Sequence, residues 1–207
     1  MPQPVLVAGA TGQLGRVIVQ KLLAAGVPVR ALSRDANKLT ALRQMGAEVA
    51  AVDMLDLARL TEACQGVGDI IATANNNMGK GPTSPMRVDL TAYQNLCAAA
   101  RKSGARRIIY VSFRNVSSDE FVDIFRLKWY IEDAIKRSLV PYVILRPSAF
   151  MDVWIDHIMA DGIRRKGVTT IFGPGTASYV CFKANFMLTV TGPVINKPSA
   201  CRGEATN

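Results

Sequence analysis

Val5-Leu6-Val7-Ala8-Gly9-Ala10-Thr11-Gly12-Gln13-Leu14-Gly15 is the stretch on which the fold turns. Its four leading apolar residues read as a short buried strand. Three glycines at G-x-x-G-x-x-G spacing follow, and Gln13 to Ala25 then reads as an amphipathic helix closed by Gly26. A glycine-rich turn between a strand and a helix is the arrangement that holds a dinucleotide pyrophosphate. Gly9 allows the tight turn out of the strand. Gly12 leaves room for the anion where a Cβ would intrude, and Gly15 lets the helix pack closely. The backbone N–H groups of residues 12 to 14 then face the anion from the positive end of the helix. Thr11, Gln13 and Leu14 complete the predicted loop.

Outward from this loop, short β-branched runs alternate with helical ones. Val29–Leu32, Glu48–Val52, Asp69–Thr73, Arg107–Ser112 and Tyr142–Arg146 read as further strands. Ala36–Met45 (closed by Gly46), Leu57–Cys64, about Arg87–Ser103 (stopped by Gly104) and Asp119–Arg137 read as helices, with a polar loop from Asn75 to Pro85. Six strands separated by helices predict parallel pairing with right-handed crossovers. The expected fold is therefore α/β, a doubly wound parallel sheet of Rossmann type. After Pro147 the pattern weakens, and only a helix over Met151–Arg165 and a strand over Val168–Phe172 are expected. A Rossmann domain is assigned to residues 1–175. Residues 176–207 form a short atypical C-terminal segment, expected to be poorly ordered towards Asn207.

Composition excludes several classes. With 207 residues, 49% hydrophobic and 20% charged, the chain has the balance of an ordinary globular domain. No apolar run reaches the roughly 20 residues of a membrane span, and no signal peptide is recognised at Met1-Pro-Gln-Pro. A cytoplasmic location is the default expectation, organellar if a transit peptide was removed. Of four cysteines, Cys64 and Cys97 fall in predicted helices and read as buried thiols. The single histidine, His157, rules out a His-rich metal site, and no metal is expected. The net charge of +9 invites a nucleic-acid partner. Its clusters, however, sit where predicted helices end: Arg101-Lys102, Lys136-Arg137 and Arg164-Arg165-Lys166. Cations there complement the helix dipole, so nucleic acid is not expected.

The end of the second strand selects the dinucleotide. NAD sites carry Asp or Glu there for the ribose hydroxyls; this strand ends Leu32-Ser33-Arg34. A guanidinium at that point suits a 2′-phosphate, and Ser33 and Lys38 supply further donors. Asp35 is read as the N-cap of the following helix. NADP(H) is the expected cofactor.

Gly9-Ala-Thr-Gly12-Gln-Leu-Gly15, Val29-Arg-Ala-Leu-Ser-Arg34-Asp, Val52-Asp53-Met-Leu-Asp56 and Ile144-Leu-Arg-Pro-Ser-Ala-Phe150 together resemble the atypical short-chain dehydrogenase/reductases, the NmrA-like or NAD(P)H-binding group. The resemblance runs over residues 4 to 175. It implies a Rossmann fold with NADP(H), with Asp53 and Met54 by the adenine and Ala74 and Asn75 near the ribose. It also implies Ser112, Phe113 and the Pro147 loop bordering the nicotinamide.

Many short-chain dehydrogenases use Tyr-x-x-x-Lys, the phenol donating a proton while lysine lowers its pKa. Here Lys128 stands in the matching helix, but the residue four before it is Ile124, and Tyr130 points to another side. Phe121, Ile124, Phe125, Ile131 and Ile135 make an apolar stripe that contains Lys128 and, one turn later, Glu132. A lysine on that face reaches the cofactor ribose or a substrate oxygen, or it pairs with Glu132. The resemblance favours the first, since Lys-x-x-x-Glu is usual in this helix, and Lys128 is the catalytic candidate. The resemblance ends after Gly173-Pro-Gly175: the family continues through Asp-Val-Ala into a substrate lobe, whereas this chain goes on Tyr179-Val-Cys-Phe, and that lobe is expected to be truncated or replaced. Two functions follow: an NADPH-dependent oxidoreductase acting on a small carbonyl, enone or quinone-like compound, or a non-catalytic NADP(H)-sensing regulatory or assembly protein. The partner is accordingly a small-molecule substrate or another protein.

Overall fold

The structure, a computed structural model, describes residues 2–75 and 85–147. The expected helix at 151–165, the strand at 168–172, His157, the boundary at 175 and the tail 176–207 lie outside the described residues.

Eleven elements alternate as the sequence pattern requires: β1 Val5–Ala8, α1 Gln13–Ala24, β2 Val29–Ser33, α2 Ala36–Gln44, β3 Glu48–Ala51, α3 Leu57–Cys64, β4 Asp69–Ala72, α4 Pro85–Ser103, β5 Arg107–Val111, α5 Asp123–Arg137 and β6 Tyr142–Leu145. The strands form one sheet in the order β3-β2-β1-β4-β5-β6, every pair parallel. This is the doubly wound order, with its switch point between β1 and β4, where such sheets bind ligands outside the strands' carboxyl ends.

Strand alternation divides the core in two. Leu6, Ala8, Leu32, Ile70, Ala72, Ile108 and Tyr110 point to one face, where they join Leu60, Tyr93, Leu96, Leu127 and Ile131 in a single apolar cluster. There α3, α4 and α5 lie side by side. The intervening residues Val5, Val7, Val29, Ala31, Ile71 and Ile109 are also buried, and α1 packs on β1 and β2. Burial on both faces explains the unbroken apolar runs of the central strands.

Several element ends differ from the sequence expectation by one residue, and two helix starts by more. α4 begins at Pro85 rather than Arg87, because proline suits a helix's first position. α5 begins at Asp123 rather than Asp119. The residues before it form a braced loop instead: Ser117 Oγ donates to Asp119 Oδ1 at 2.7 Å, and Arg126 Nη1 reaches back to the Glu120 carbonyl at 3.0 Å. Phe121 therefore leaves the apolar stripe and is 96% exposed.

Candidate cofactor and catalytic site

The three loop glycines do different work. Gly9 has φ +84, and a Cβ there would sit 2.7 Å from the Ala74 nitrogen at the end of β4. Gly15 packs against its own loop, where a Cβ would come within 2.1 Å of the Gly9 carbonyl oxygen. Gly12 is less crowded: a Cβ there would lie 3.3 Å from the Gly9 carbonyl oxygen, a tight contact that a shift of a few tenths of an ångström relieves. The fold demands glycine at 9 and 15 more strictly than at 12, where the protein leaves more room beside the loop.

The helix termini make the same distinction. Asp35 caps α2 by accepting from the amides of Asn37 and Lys38, and Asp56 caps α3 by accepting from Arg59. α5 starts on Val122 and α1 on Gly12 with no side-chain cap, and of the two it is α1 that follows the glycine loop. Its first-turn donors, Leu14 among them, remain directed at the position of an anion. Thr11 Oγ1 and Ser33 Oγ share a hydrogen bond of 3.0 Å, tying the glycine loop to the end of β2. Arg34 is exposed there. Lys38 reaches Asp35 at 3.6 Å, both largely in solvent. A helix without a side-chain cap at the glycine loop and an exposed guanidinium past β2 fit a phosphorylated dinucleotide.

Asp53 is exposed and closes its own turn by accepting from the Leu55 amide at 3.0 Å. Met54 is buried in the core cluster. Its carbonyl and that of Leu55 both accept from Asn95 Nδ2, at 3.0 and 3.1 Å, so α4 fixes this loop. Pro147 is buried two residues beyond β6.

Across the switch point the structure gathers Asn75, Ser112, Phe113 and Lys128. Lys128 is 2% exposed, although it carries an ammonium. Nζ donates to Asn75 Oδ1 at 2.7 Å and to the Val111 carbonyl at 3.2 Å, at the carboxyl ends of β4 and β5. The rings of Tyr110 and Phe113 lie against it, with centroids 4.9 and 5.4 Å away. Burial pulls its pKa down from 10.5 to about 8, against the opposing pull of the Asp89 and Glu132 carboxylates. The expected alternative, a Lys128–Glu132 pair, is not what forms. Glu132 instead takes a two-pronged bond from Arg146, Nε at 3.0 Å and Nη2 at 2.5 Å, because the planar guanidinium matches both carboxylate oxygens.

An ammonium has three N–H donors, and two of those on Lys128 are engaged. Beside it, Ser112 Oγ is buried with no hydrogen-bond partner, and so is Tyr110 Oη. Residues 110 and 112 share one face of β5, the face that α5 covers. Unpaired polar atoms in a core are costly and call for an explanation; a ligand oxygen at the strand's end supplies one for Ser112 and Lys128. Burial, ahead of the nearby Tyr93, Glu132 and Asp89, raises the Tyr110 phenol well above its usual range. Cys64 and Cys97 are buried thiols pushed up to about 11 by desolvation. Among the described residues no cluster of His, Cys, Asp or Glu is arranged to hold a metal.

Sequence reasoning missed Asp89, Tyr93, Asn95 and Arg146. Asp89 carried the same signal that singled out Lys128, a charge at helical spacing with Tyr93 and Leu96. Arg146 carried none, since its partner lies on another element.

Residues 9–165 match the sequence profile of the NAD(P)H-binding family. The chain belongs to that family. Among curated relatives, a (4-alkanoyl-5-oxo-2,5-dihydrofuran-3-yl)methyl phosphate reductase of Streptomyces griseus is 34% identical over 79% of this chain and 53% of its own length. The photosystem II assembly factor Ycf39 of Cyanophora paradoxa is 33% identical over 70% of this chain and 45% of its own. The chain thus spans about half the length of the curated relatives it matches. Among solved structures, an Escherichia coli NADPH-dependent quinone oxidoreductase complexed with NADPH is 27% identical, with a TM-score of 0.61 over 73% of this chain and 51% of that one. A Citrobacter triphenylmethane reductase complexed with NADP(H) shares the fold, with a TM-score of 0.74 at 24% identity over 93% of this chain and 66% of that one. Family membership makes this an NAD(P)H-binding protein with reductases among its relatives. No helix of the described residues is long and apolar enough to cross a membrane; one relative, of Arabidopsis thaliana, is chloroplastic.

Proposed function

We propose that the protein is an NADPH-dependent reductase of a small carbonyl, enone or quinone-like compound. The observation that carries this reading is the pair of unsatisfied donors at the end of β5, the third N–H of buried Lys128 and the hydroxyl of Ser112. When bound, NADPH supplies hydride. The glycine loop and the α1 N-terminus hold its pyrophosphate, and Arg34 with Ser33 receives the 2′-phosphate in preference to a bare ribose. Lys128 and Ser112 hold the oxygen that gains electron density, with a proton available from the ammonium. Such donors, fixed in advance in a water-poor site, act where charge develops. Lys128 is here the catalytic residue, without the tyrosine that many short-chain dehydrogenases place one turn earlier. The quinone oxidoreductase among the solved relatives supports the acceptor class. The test is NADPH oxidation followed with a panel of quinones, enones and aldehydes; turnover that Lys128→Met abolishes supports the reading.

Ile124 in the tyrosine position and the similarity to photosystem II assembly factors favour a second reading, an NADP(H)-sensing assembly or regulatory protein. Tight NADPH binding with no turnover on any acceptor, together with NADPH-dependent capture of a protein partner, selects it.

A further inference from the structure

The two hydrogen bonds of the buried Lys128 ammonium go to neutral oxygens, Asn75 Oδ1 at 2.7 Å and the Val111 carbonyl at 3.2 Å. Nζ also lies over two aromatic rings, 4.9 Å from the Tyr110 centroid and 5.4 Å from that of Phe113. A cation within about 6 Å of a ring centroid is drawn to the negative face of the ring, the more so when water is excluded. Each ring is pinned by another. Tyr93 of α4 meets Tyr110 at 5.0 Å and 70°, and Phe125 of α5 meets Phe113 at 5.8 Å and 85°, both edge to face. Phe125 stands three residues before Lys128, so the helix that carries the lysine also fixes the Phe113 ring beneath its ammonium.

We propose that Phe113 is a positioning residue for Lys128: its ring face, together with that of Tyr110, keeps the buried ammonium charged and in place at the end of β5 while leaving its third N–H for a ligand oxygen. The proposal rests on the reading of Lys128 as a site residue, and its first test does not depend on turnover.

A ring face and a carboxylate hold a cation differently. A carboxylate oxygen accepts a hydrogen bond and so occupies one of the ammonium's three donors. A ring attracts the charge as a whole and requires no N–H to point at it. Two rings and two neutral oxygens therefore stabilise the ammonium with one donor left over, and the residue before Phe113, Ser112, has a buried hydroxyl with no hydrogen-bond partner. Phe113 is half-buried at the strand's end, whereas Tyr110 is fully buried in the core cluster, so Phe113 is the ring to alter.

The ionisable groups around Lys128 come from each element packed there. α5 contributes Glu132, bound by Arg146 from the end of β6 and approached by Lys136 at 3.9 Å. β5 contributes Tyr110 and α4 contributes Tyr93, both kept neutral by burial. α4 also carries Asp89, whose carboxylate, like that of Glu132, raises the lysine pKa against desolvation. A substitution at Phe113 changes none of these groups, so a shift at Lys128 isolates the ring.

The experiment is NMR titration of protein labelled with carbon-13 in lysine, with the Lys128 Cε signal identified by its loss in Lys128→Met. Lys128 titrates near 8 in the unaltered protein. Replacing Phe113 by trifluorophenylalanine, with fluorine at the para and both meta positions, keeps the shape of the ring and withdraws the negative charge from its face. The midpoint then falls by about half a unit to one unit. It falls likewise in Phe113→Leu and returns in Phe113→Tyr. An unmoved midpoint in the fluorinated protein overturns the proposal. A midpoint that rises in Phe113→Leu also overturns it, because the ring then serves only to keep water out. The alkaline limb of kcat/KM with NADPH and a quinone acceptor moves down with the Lys128 midpoint in the fluorinated protein. A moved midpoint with an unmoved limb upholds the Phe113–Lys128 coupling and refutes the catalytic reading of Lys128.

Discussion

Replacing Lys128 by methionine keeps an unbranched stem of similar reach and removes a charge that folding has to desolvate. The folded pKa of Lys128 is about 8 against an ordinary 10.5. Below about pH 8 the lysine is protonated in both states, and the fold carries the full penalty of the buried ammonium. Between the two pKa values the unfolded chain binds the proton that the native state has released, so stability rises with pH. Above the unfolded value both states are neutral and the penalty is gone. At about 1.4 kcal/mol per unit, the shift corresponds to roughly 3 kcal/mol gained by the lysine protein across this window. Comparing the unaltered chain with Lys128→Met cancels the contributions of every group the two share, including the tyrosines that titrate at high pH. Chemical denaturation of both proteins, without cofactor, is measured at steps from about pH 7 to about pH 10.5. The stability of the lysine protein minus that of the variant is expected to climb by about 3 kcal/mol, at close to 1.4 kcal/mol per unit. A difference that stays flat over this range refutes the buried-ammonium account of Lys128, and with it the reasoning that assigns the residue to the site.

Arg34→Ala is expected to erase most of the preference for NADPH over NADH, a loss of about 1.5–3 kcal/mol for a charge-assisted contact, read by fluorescence titration with both nucleotides; equal affinities in the unaltered protein refute the assignment. Gly12→Val is expected to fold with a small shift of the Gly9 carbonyl, 3.3 Å from the new Cβ, and to bind no NADPH because its side chain takes the pyrophosphate's place, whereas Gly15→Ala, whose Cβ would lie 2.1 Å from the Gly9 oxygen, is expected to lower the melting temperature of the free protein more. Normal NADPH binding by folded Gly12→Val contradicts the loop assignment. Tyr93→Phe removes the bond to the Ala74 carbonyl without touching a ligand group, and is expected to weaken NADPH binding less than Lys128→Met does; an equal loss in the two, by calorimetry, shows that Lys128 acts by bracing β4 alone.

The fold was legible because its signals are local. Apolar runs covered on both faces, glycines past the helices and aspartates at helix starts each lie within a few residues of what they specify. Asp35 and Asp56 cap the helices that follow them. The glycine loop was legible for the same reason, while the partner of the close packing at Gly15, the Gly9–Ala10 backbone, shows only in the structure. Lys128 was legible as a charge in an apolar stripe, but its partners were not. Glu132, four residues on, was the local choice, and the residues that engage it and Lys128, Arg146 and Asn75, are brought in by β6 and β4. Phe121 was misplaced because spacing continues past a helix start, and only the Arg126 bond to Glu120 shows where α5 begins.

The two halves of the site meet at the end of β4. Ala74 backbone fills the space that a Cβ on Gly9 would need, so the glycine loop closes against β4 rather than against its own helix alone. The Ala74 carbonyl is held by Tyr93 of α4, and Asn75 by Lys128 of α5. Two consecutive residues therefore transmit the positions of α4 and α5 to the pyrophosphate loop on the other side of the switch point. This geometry gives a physical reason for burying a lysine where a smaller polar group would bond Asn75 at lower desolvation cost. A long, charged side chain spans from the α5 backbone to the ends of two strands, and it still presents one N–H beyond them. Methionine spans the same distance with neither bond, and asparagine cannot reach. Only a lysine braces the β4 end while leaving a donor for the ligand.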